Sequence, residues 1–150
     1  MAAFIVVDAS VAGAWLFAEP YSGNAQSVLA ALDARRIVAL APDRFAEEML
    51  RVCQKKTLPP PDGAGVTPAD AWDRFLDLVT SPIELLNSEE LHERAWQMAI
   101  AARLTTHDAL YLALAERWGA ELWTLDDLLA ARGSAVYPAV KDLSTMVFPY

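Results

Sequence analysis

Four carboxylates, Asp8, Glu48, Asp108 and Asp126, stand where gathered negative charge would have a use. Hard divalent cations such as Mg²⁺ prefer carboxylate oxygens and water. Converging carboxylates repel and raise one another's pKa, a penalty that a cation removes. A cation so held activates water and stabilises charge on a phosphate undergoing in-line displacement. The two histidines, His92 and His107, lack zinc-ligand spacing, and no Cys cluster accompanies the acids. The donor set therefore favours Mg²⁺ or Mn²⁺ over zinc. His107, next to Asp108, could support the acids or be simply exposed, and exposure is the favoured reading.

Such a site needs elements that bring distant acids together. Short apolar runs predict strands at residues 4–7, 37–41 (stopped by Pro42), 83–86 and 121–125, with Val136 and 146–148 as candidate edge strands. Helices are expected at 10–18, 22–35, 43–56, about 68–80, 88–103, 106–118 and 127–132. Ser22 is a candidate N-cap of the second helix, and Gly119 stops the sixth. Strands alternating with helices imply parallel βαβ units: an α/β, three-layer α/β/α fold with a mostly parallel sheet of about five strands. The segment TLPPPDGAGVTP at 57–68, with four Pro and two Gly, breaks regular structure but is too short to divide the chain. One domain over 1–150 is expected. No Gly-rich phosphate loop is present, which weakens dinucleotide and P-loop readings.

In an open parallel sheet, ligands collect beyond the C-terminal strand ends. Asp8 follows the first strand and Asp126 the 121–125 strand. Asp108 lies in the first turn of its helix, where the dipole favours an anion. Each has an ordinary alternative: Asp8 or Ser10 could cap helix 10–18, Thr105 and Asp108 fit a capping box, and Asp126 could cap the next helix. On a wheel of about 100° per residue, Phe45, Ala46, Met49, Val52 and Cys53 share an apolar face. Glu47 points away from that face, whereas Glu48 sits at its border and can reach a crevice at the sheet edge. Both glutamates could equally be surface helix formers.

Composition bounds the rest. Hydrophobic residues are 55% of the chain, too many for disorder. No apolar run reaches the roughly 18–20 residues of a membrane helix, and the N-terminus lacks the basic region of a signal peptide. A lone Cys53 allows no internal disulfide, consistent with the cytoplasm, and reads as a core residue. Net charge is −8, unusual for a nucleic-acid binder, unless acids are concentrated at a cation site.

Four segments carry a resemblance to the PIN-domain family, specifically its VapC-type toxins. VVDAS at 6–10 is similar to the family's first motif, an aspartate followed two residues later by Ser or Thr. P-x5-E from Pro42 to Glu48 resembles the second, HDALYLALA at 107–115 the third, and LWTLD at 122–126 the fourth. They occur in the family's order and span nearly the whole chain. The resemblance implies a parallel sheet flanked by helices and cleavage of single-stranded RNA. It also implies an acidic pocket for one or two Mg²⁺ or Mn²⁺ ions. It would make Asp8, Glu48, Asp108 and Asp126 the catalytic metal ligands, or holders of ligand waters, with Ser10 and Thr124 as supporting polar contacts. It further implies a homodimer and a cognate VapB-type antitoxin peptide that enters the pocket. The Pro-rich insertion at 57–68 looks longer than the family needs.

Six of the twelve basic residues fall between 35 and 56. Arg44, Arg51 and Lys55 form a stripe beside Glu48 that could hold an RNA backbone. Glu47–Arg51 pairing on an ordinary solvated face explains them as well. Tyr21 could stack bases, Trp15 and Phe17 read as core, and Trp72, Trp96, Trp118 and Trp123 as core or dimer contacts. Two rivals remain. A phosphatase with an aspartyl nucleophile usually has a second Asp two residues on, where this chain has Ser10. A PIN-like module that binds RNA or protein without cutting would not need all four acids.

Overall fold

The apolar runs become the middle of a sheet because nothing polar within them has to reach water. The computed structural model describes residues 2–17 and 22–149. In chain order it contains β1 (Ala3–Val7), α1 (Ala9–Leu16), α2 (Ser22–Asp33), β2 (Ile37–Pro42), α3 (Phe45–Lys56) and α4 (Pro68–Val79). β3 (Ile83–Leu86), a 3₁₀ turn at Glu89–Leu91, α5 (His92–Ala102), α6 (Thr106–Trp118), β4 (Glu121–Thr124), α7 (Asp127–Gly133) and β5 (Val140–Asp142) follow. Tyr21 and the expected helix end at residue 18 lie outside the described residues, and Ser22 is described in its backbone only.

All four strand pairings are parallel, and the sheet order is β3-β2-β1-β4-β5. Ile5, Val6 and Val7 in β1, and Ala39 to Pro42 in β2, are buried on both faces, as a sheet covered on each side requires. The helices fall into two groups: α1 to α4 contact one another, and α5 to α7 contact one another. Right-handed crossovers put the two groups on opposite faces, giving the expected three layers. α6 runs across β1, β2 and β4. Its residues Ala109 and Tyr111 to Ala115 are all buried, which is why the segment is apolar nearly all round.

The fifth strand corrects the expected edge. Neither Val136 nor 146–148 forms it; Val140–Asp142 does, pairing Leu122 with Val140 and Thr124 with Asp142. Val136, Met146 and Phe148 instead pack against the core as irregular chain, and the Phe148 ring meets Trp123 edge-on at 5.6 Å. Three residues are too few for alternation to reveal a strand. Cys53, Trp15, Phe17 and Trp123 are buried as expected. Trp72, Trp96 and Trp118 are not core residues: they are 52%, 60% and 44% exposed.

The order of strands matters for the site. The chain moves outward from β1 through β2 to β3, then returns to the other side of β1 with β4. The gap between the ends of β1 and β4 is therefore the switch point at which open parallel sheets bind ligands.

Candidate active site

Register brings the first two acids together. Val7 is level with Trp123, so the next residues, Asp8 and Thr124, face each other at the ends of β1 and β4. Thr124 Oγ1 donates to Asp8 Oδ2 at 2.6 Å and accepts from the Asp126 backbone N–H at 2.9 Å. Ser10 Oγ donates to Asp8 Oδ1 at 2.5 Å and accepts from the Leu125 N–H at 2.9 Å. Ser10 and Thr124 thus stitch both strand ends to one carboxylate.

The capping readings also hold, and they explain the acids' orientation. Asp8 caps α1, with Oδ1 accepting from the Ser10 and Val11 N–H groups at 3.2 and 3.4 Å. Asp126 caps α7 through the Leu128 and Leu129 N–H groups at 2.9 and 3.1 Å. Thr105 caps α6, its hydroxyl accepting from the Asp108 N–H at 3.1 Å. A carboxylate oxygen has two lone-pair directions, so capping uses only part of the Asp8 and Asp126 groups.

Asp8 is buried, 5% exposed. Burial pushes its carboxyl up to about 6, against the lowering effect of Ser10, Thr124 and the Val11 N–H, and the charge of Asp126 adds to the rise. The Asp108 carboxyl is also raised, first by burial and then by the charges of Asp126 and Glu48, while Thr105 and His107 lower it. The charge of Asp126 thus raises both Asp8 and Asp108, and that of Glu48 raises Asp108. Asp142, which ends β5 in the same row, is engaged locally. Its carboxylate takes the Ser144 N–H and hydroxyl at 3.0 and 2.6 Å.

Glu48, in the first turn of α3, is half-buried, whereas Glu47 is exposed, as the wheel placed them. Two residues hold it. Tyr111 of α6 donates its hydroxyl to Glu48 Oε1 at 2.6 Å, and His107 Nε2 lies 2.5 Å from the same oxygen. His107 is therefore not simply exposed: its side chain is 39% accessible and leans on Glu48. Tyr111, 1% exposed, was not singled out from the sequence at all. Its position supplied a signal: it lies three residues from Asp108 and four from His107, on one face of α6. Burial first, then the charges of Glu48, Asp8 and Asp108, drives the Tyr111 phenol far above its ordinary range, so it remains a donor.

Among the described residues, no three His, Cys, Asp or Glu side chains are grouped closely enough to hold a metal ion as they stand. The donor chemistry nonetheless fits a hard cation. The acids are carboxylates, Asp8 is charged at neutral pH only against burial, and Mg²⁺ commonly binds through one or two carboxylates while keeping several waters.

Beside the acids, a groove of about 560 Å³ is lined by Glu48, Arg51, Lys55, Leu58 and His107, among others. Arg44, Arg51 and Lys55 are exposed. Arg51 and Lys55 line the groove, and Arg44 sits at the N-cap of α3 outside it. No Glu47–Arg51 ion pair forms among the described residues. Nor is any helix long and apolar enough to cross a membrane.

Comparison with known proteins agrees with this geometry. Residues 5–133 match the family model described as PIN domain. Over 134 residues the chain is 34% identical to Ribonuclease VapC9 of Mycobacterium tuberculosis, covering 89% of this chain and 94% of that one. Over 132 residues it is 26% identical to Ribonuclease VapC3 of Pyrobaculum aerophilum, covering 88% and 96%. The crystal structure of PAE2754 from P. aerophilum matches with a TM-score of 0.63 at 24% identity, over 88% of this chain and 87% of that chain. VapC20 of M. tuberculosis, described as a sarcin-ricin loop cleaving toxin, matches with a TM-score of 0.59 at 16% identity, over 85% and 94%. At those identities the two solved structures speak for the fold alone. A parallel β3-β2-β1-β4-β5 sheet with Asp8 and Thr124 joined at the ends of β1 and β4, and a family match over residues 5–133, lead to one conclusion: the protein belongs to the PIN-domain family and has VapC ribonucleases among its relatives.

Proposed function

We propose that the chain is a divalent-metal-dependent endoribonuclease, the toxin half of a VapBC-type pair, acting on single-stranded RNA. The observation that carries this reading is the junction at Thr124, which locks the ends of β1 and β4 so that Asp8 and Asp126 face one space. Asp8, Glu48, Asp108 and Asp126 are the residues that would hold Mg²⁺ or Mn²⁺, directly or through water. When bound, such an ion supplies water activation and stabilisation of charge on the scissile phosphodiester.

The chain's own residues do the positioning. Three hydrogen bonds fix the Asp8 carboxylate, two from Ser10 of α1 and one from Thr124 of β4. Tyr111 and His107 hold Glu48. Arg51 and Lys55 in the groove, and Arg44 at the start of α3, offer cations for the RNA backbone. The names of the relatives, ribonucleases of the VapC type, support the same activity. With it come a VapB-type antitoxin partner, a homodimer, a cytoplasmic site of action and a single domain over residues 1–150.

The test is direct. Purified protein is incubated with single-stranded RNA in Mg²⁺, in Mn²⁺ and in EDTA, alongside Asp8→Asn. We expect cleavage only with metal and only in the unmutated protein. A PIN-like module that binds without cutting would give no metal-dependent products, and undiminished cleavage by Asp8→Asn would remove Asp8 from its assigned role.

A further inference from the structure

The Pro-rich insertion, which looks superfluous in sequence, is an ordered wall. The Ala64 and Val66 N–H groups both donate to the Lys56 carbonyl, at 3.2 and 3.0 Å. The Gly65 N–H donates to the Leu58 carbonyl at 2.9 Å, and Gly63 N–H to the Pro59 carbonyl at 3.1 Å. Residues 57–66 are thereby folded back on the C-terminal end of α3. The fold-back depends on glycine: a Cβ at Gly63 would collide with the backbone carbonyl oxygens of Lys55 and Leu58, and Gly65 has φ +66°.

Between this wall and α1 lies a second groove, of about 430 Å³, lined by Ser10, Gly13, Lys55, Pro61, Asp62 and Gly63, among others. Its inner end is Ser10, whose hydroxyl is on Asp8. The first groove ends on Glu48 and His107. Lys55 and Val52 line both. Two grooves therefore adjoin along α3, one lined by Glu48 and the other by Ser10, the partner of Asp8, and Lys55 lines both. A polymer cut at the acids has to leave on both sides of the scissile bond, and two channels sharing one cation match that need.

The geometry points to the groove walled by Pro61, Asp62 and Gly63 as a subsite for nucleotides of single-stranded RNA flanking the scissile phosphate. Lys55 contacts the backbone there, and the wall decides which nucleotides fit. The inference rests on the ribonuclease reading above. Asp62, exposed on the wall, places a negative charge along the path of an anionic strand and so limits binding.

Asp62→Lys, Gly63→Ala and a control reversal at the opposite end of the sheet, Asp33→Lys, test it. Binding is read by anisotropy of a fluorescein-labelled single-stranded RNA of mixed sequence, about 20 nucleotides long, in an Asp8→Asn background so that it is not cut. Hydrolysis of bis(p-nitrophenyl) phosphate with Mn²⁺ reports the acids without the subsite. We expect Asp62→Lys to tighten RNA binding on the order of threefold beyond Asp33→Lys and to steepen the salt dependence by about 0.7 in log–log slope. Gly63→Ala, whose Cβ would displace the wall, should shift the positions cut in RNA. Equal effects of Asp62→Lys and Asp33→Lys overturn the subsite, whether or not Gly63→Ala folds. If the small diester is hydrolysed and this equality holds, the ribonuclease reading survives alone. If wild type cuts neither substrate with metal, the reading underneath fails and takes the subsite with it.

Discussion

The Thr124 hydroxyl and the Asp8 carboxylate, 116 residues apart in sequence, are joined by a buried hydrogen bond of 2.6 Å across the ends of two adjacent strands. The same oxygen accepts the Asp126 N–H. One side chain with no exposed surface thus sets the relative position of two candidate ligands. Thr124→Val keeps the shape and removes both bonds, leaving the buried Asp8 Oδ2 and the Asp126 N–H without this partner. We expect a loss of about 1–3 kcal/mol, read as a lower urea midpoint with an unchanged slope. An unaltered midpoint would mean that the junction contributes nothing to the fold.

Asp8 should cost the metal-free protein stability at neutral pH. Its carboxyl rises from 3.8 to about 6 on folding, so between those values the folded state binds more protons than the unfolded one. Stability from this group therefore grows as pH falls through about 6 toward 3.8 and is absent above about 7. The burial cost at neutral pH is on the order of 3 kcal/mol. Asp8→Asn in EDTA should melt no lower than wild type at pH 7.5, and its advantage should shrink on acidification. A variant that melts well below wild type at both pH values would show that Asp8 serves the fold rather than a cation.

If the acids surround a cation, metal must relieve their repulsion and bind the folded state alone. Millimolar Mn²⁺ should raise the melting temperature by roughly 5–10 °C over EDTA, since binding far above Kd contributes about 3 kcal/mol and a domain of this size gains about 2–4 °C per kcal/mol. The shift should be much smaller in Asp126→Asn. Equal melting curves with and without the ion would leave the four carboxylates to their separate local contacts.

Tyr111 acts through Glu48, so its effect should appear in metal affinity before it appears in folding. Tyr111→Phe removes one hydroxyl from a buried ring and should weaken Mn²⁺ binding by about tenfold, measured by calorimetry. The accompanying loss of stability should be about 1 kcal/mol. His107→Gln, which can still donate to Glu48, should retain more affinity than His107→Ala. Unchanged Mn²⁺ binding in Tyr111→Phe would reduce the contact to packing.

Much of this was legible because it is local. β-branched and alanine-rich runs ended by Asp8 and followed by helix formers can only be strands feeding helices, and acids at strand ends need only chain order to be placed. The β5 strand was missed because three residues carry no period. His107 and Tyr111 were missed as partners of Glu48 because their contacts join α3 to α6 across 59 and 63 positions. The capping signatures of Asp8, Asp108 and Asp126 were real, yet they could not reveal that the same carboxyls also feel one another.

The sequence by itself determined an alternating α/β chain, the residues able to bind a cation and their order along it, since these follow from side-chain chemistry and local backbone preference. Only the tertiary structure decided that β4 lies beside β1, that Thr124 bridges Asp8 to Asp126, and that Glu48 is held from α6. Strand order and register are settled by how the whole core packs, a sum over distant contacts that no short window of residues contains.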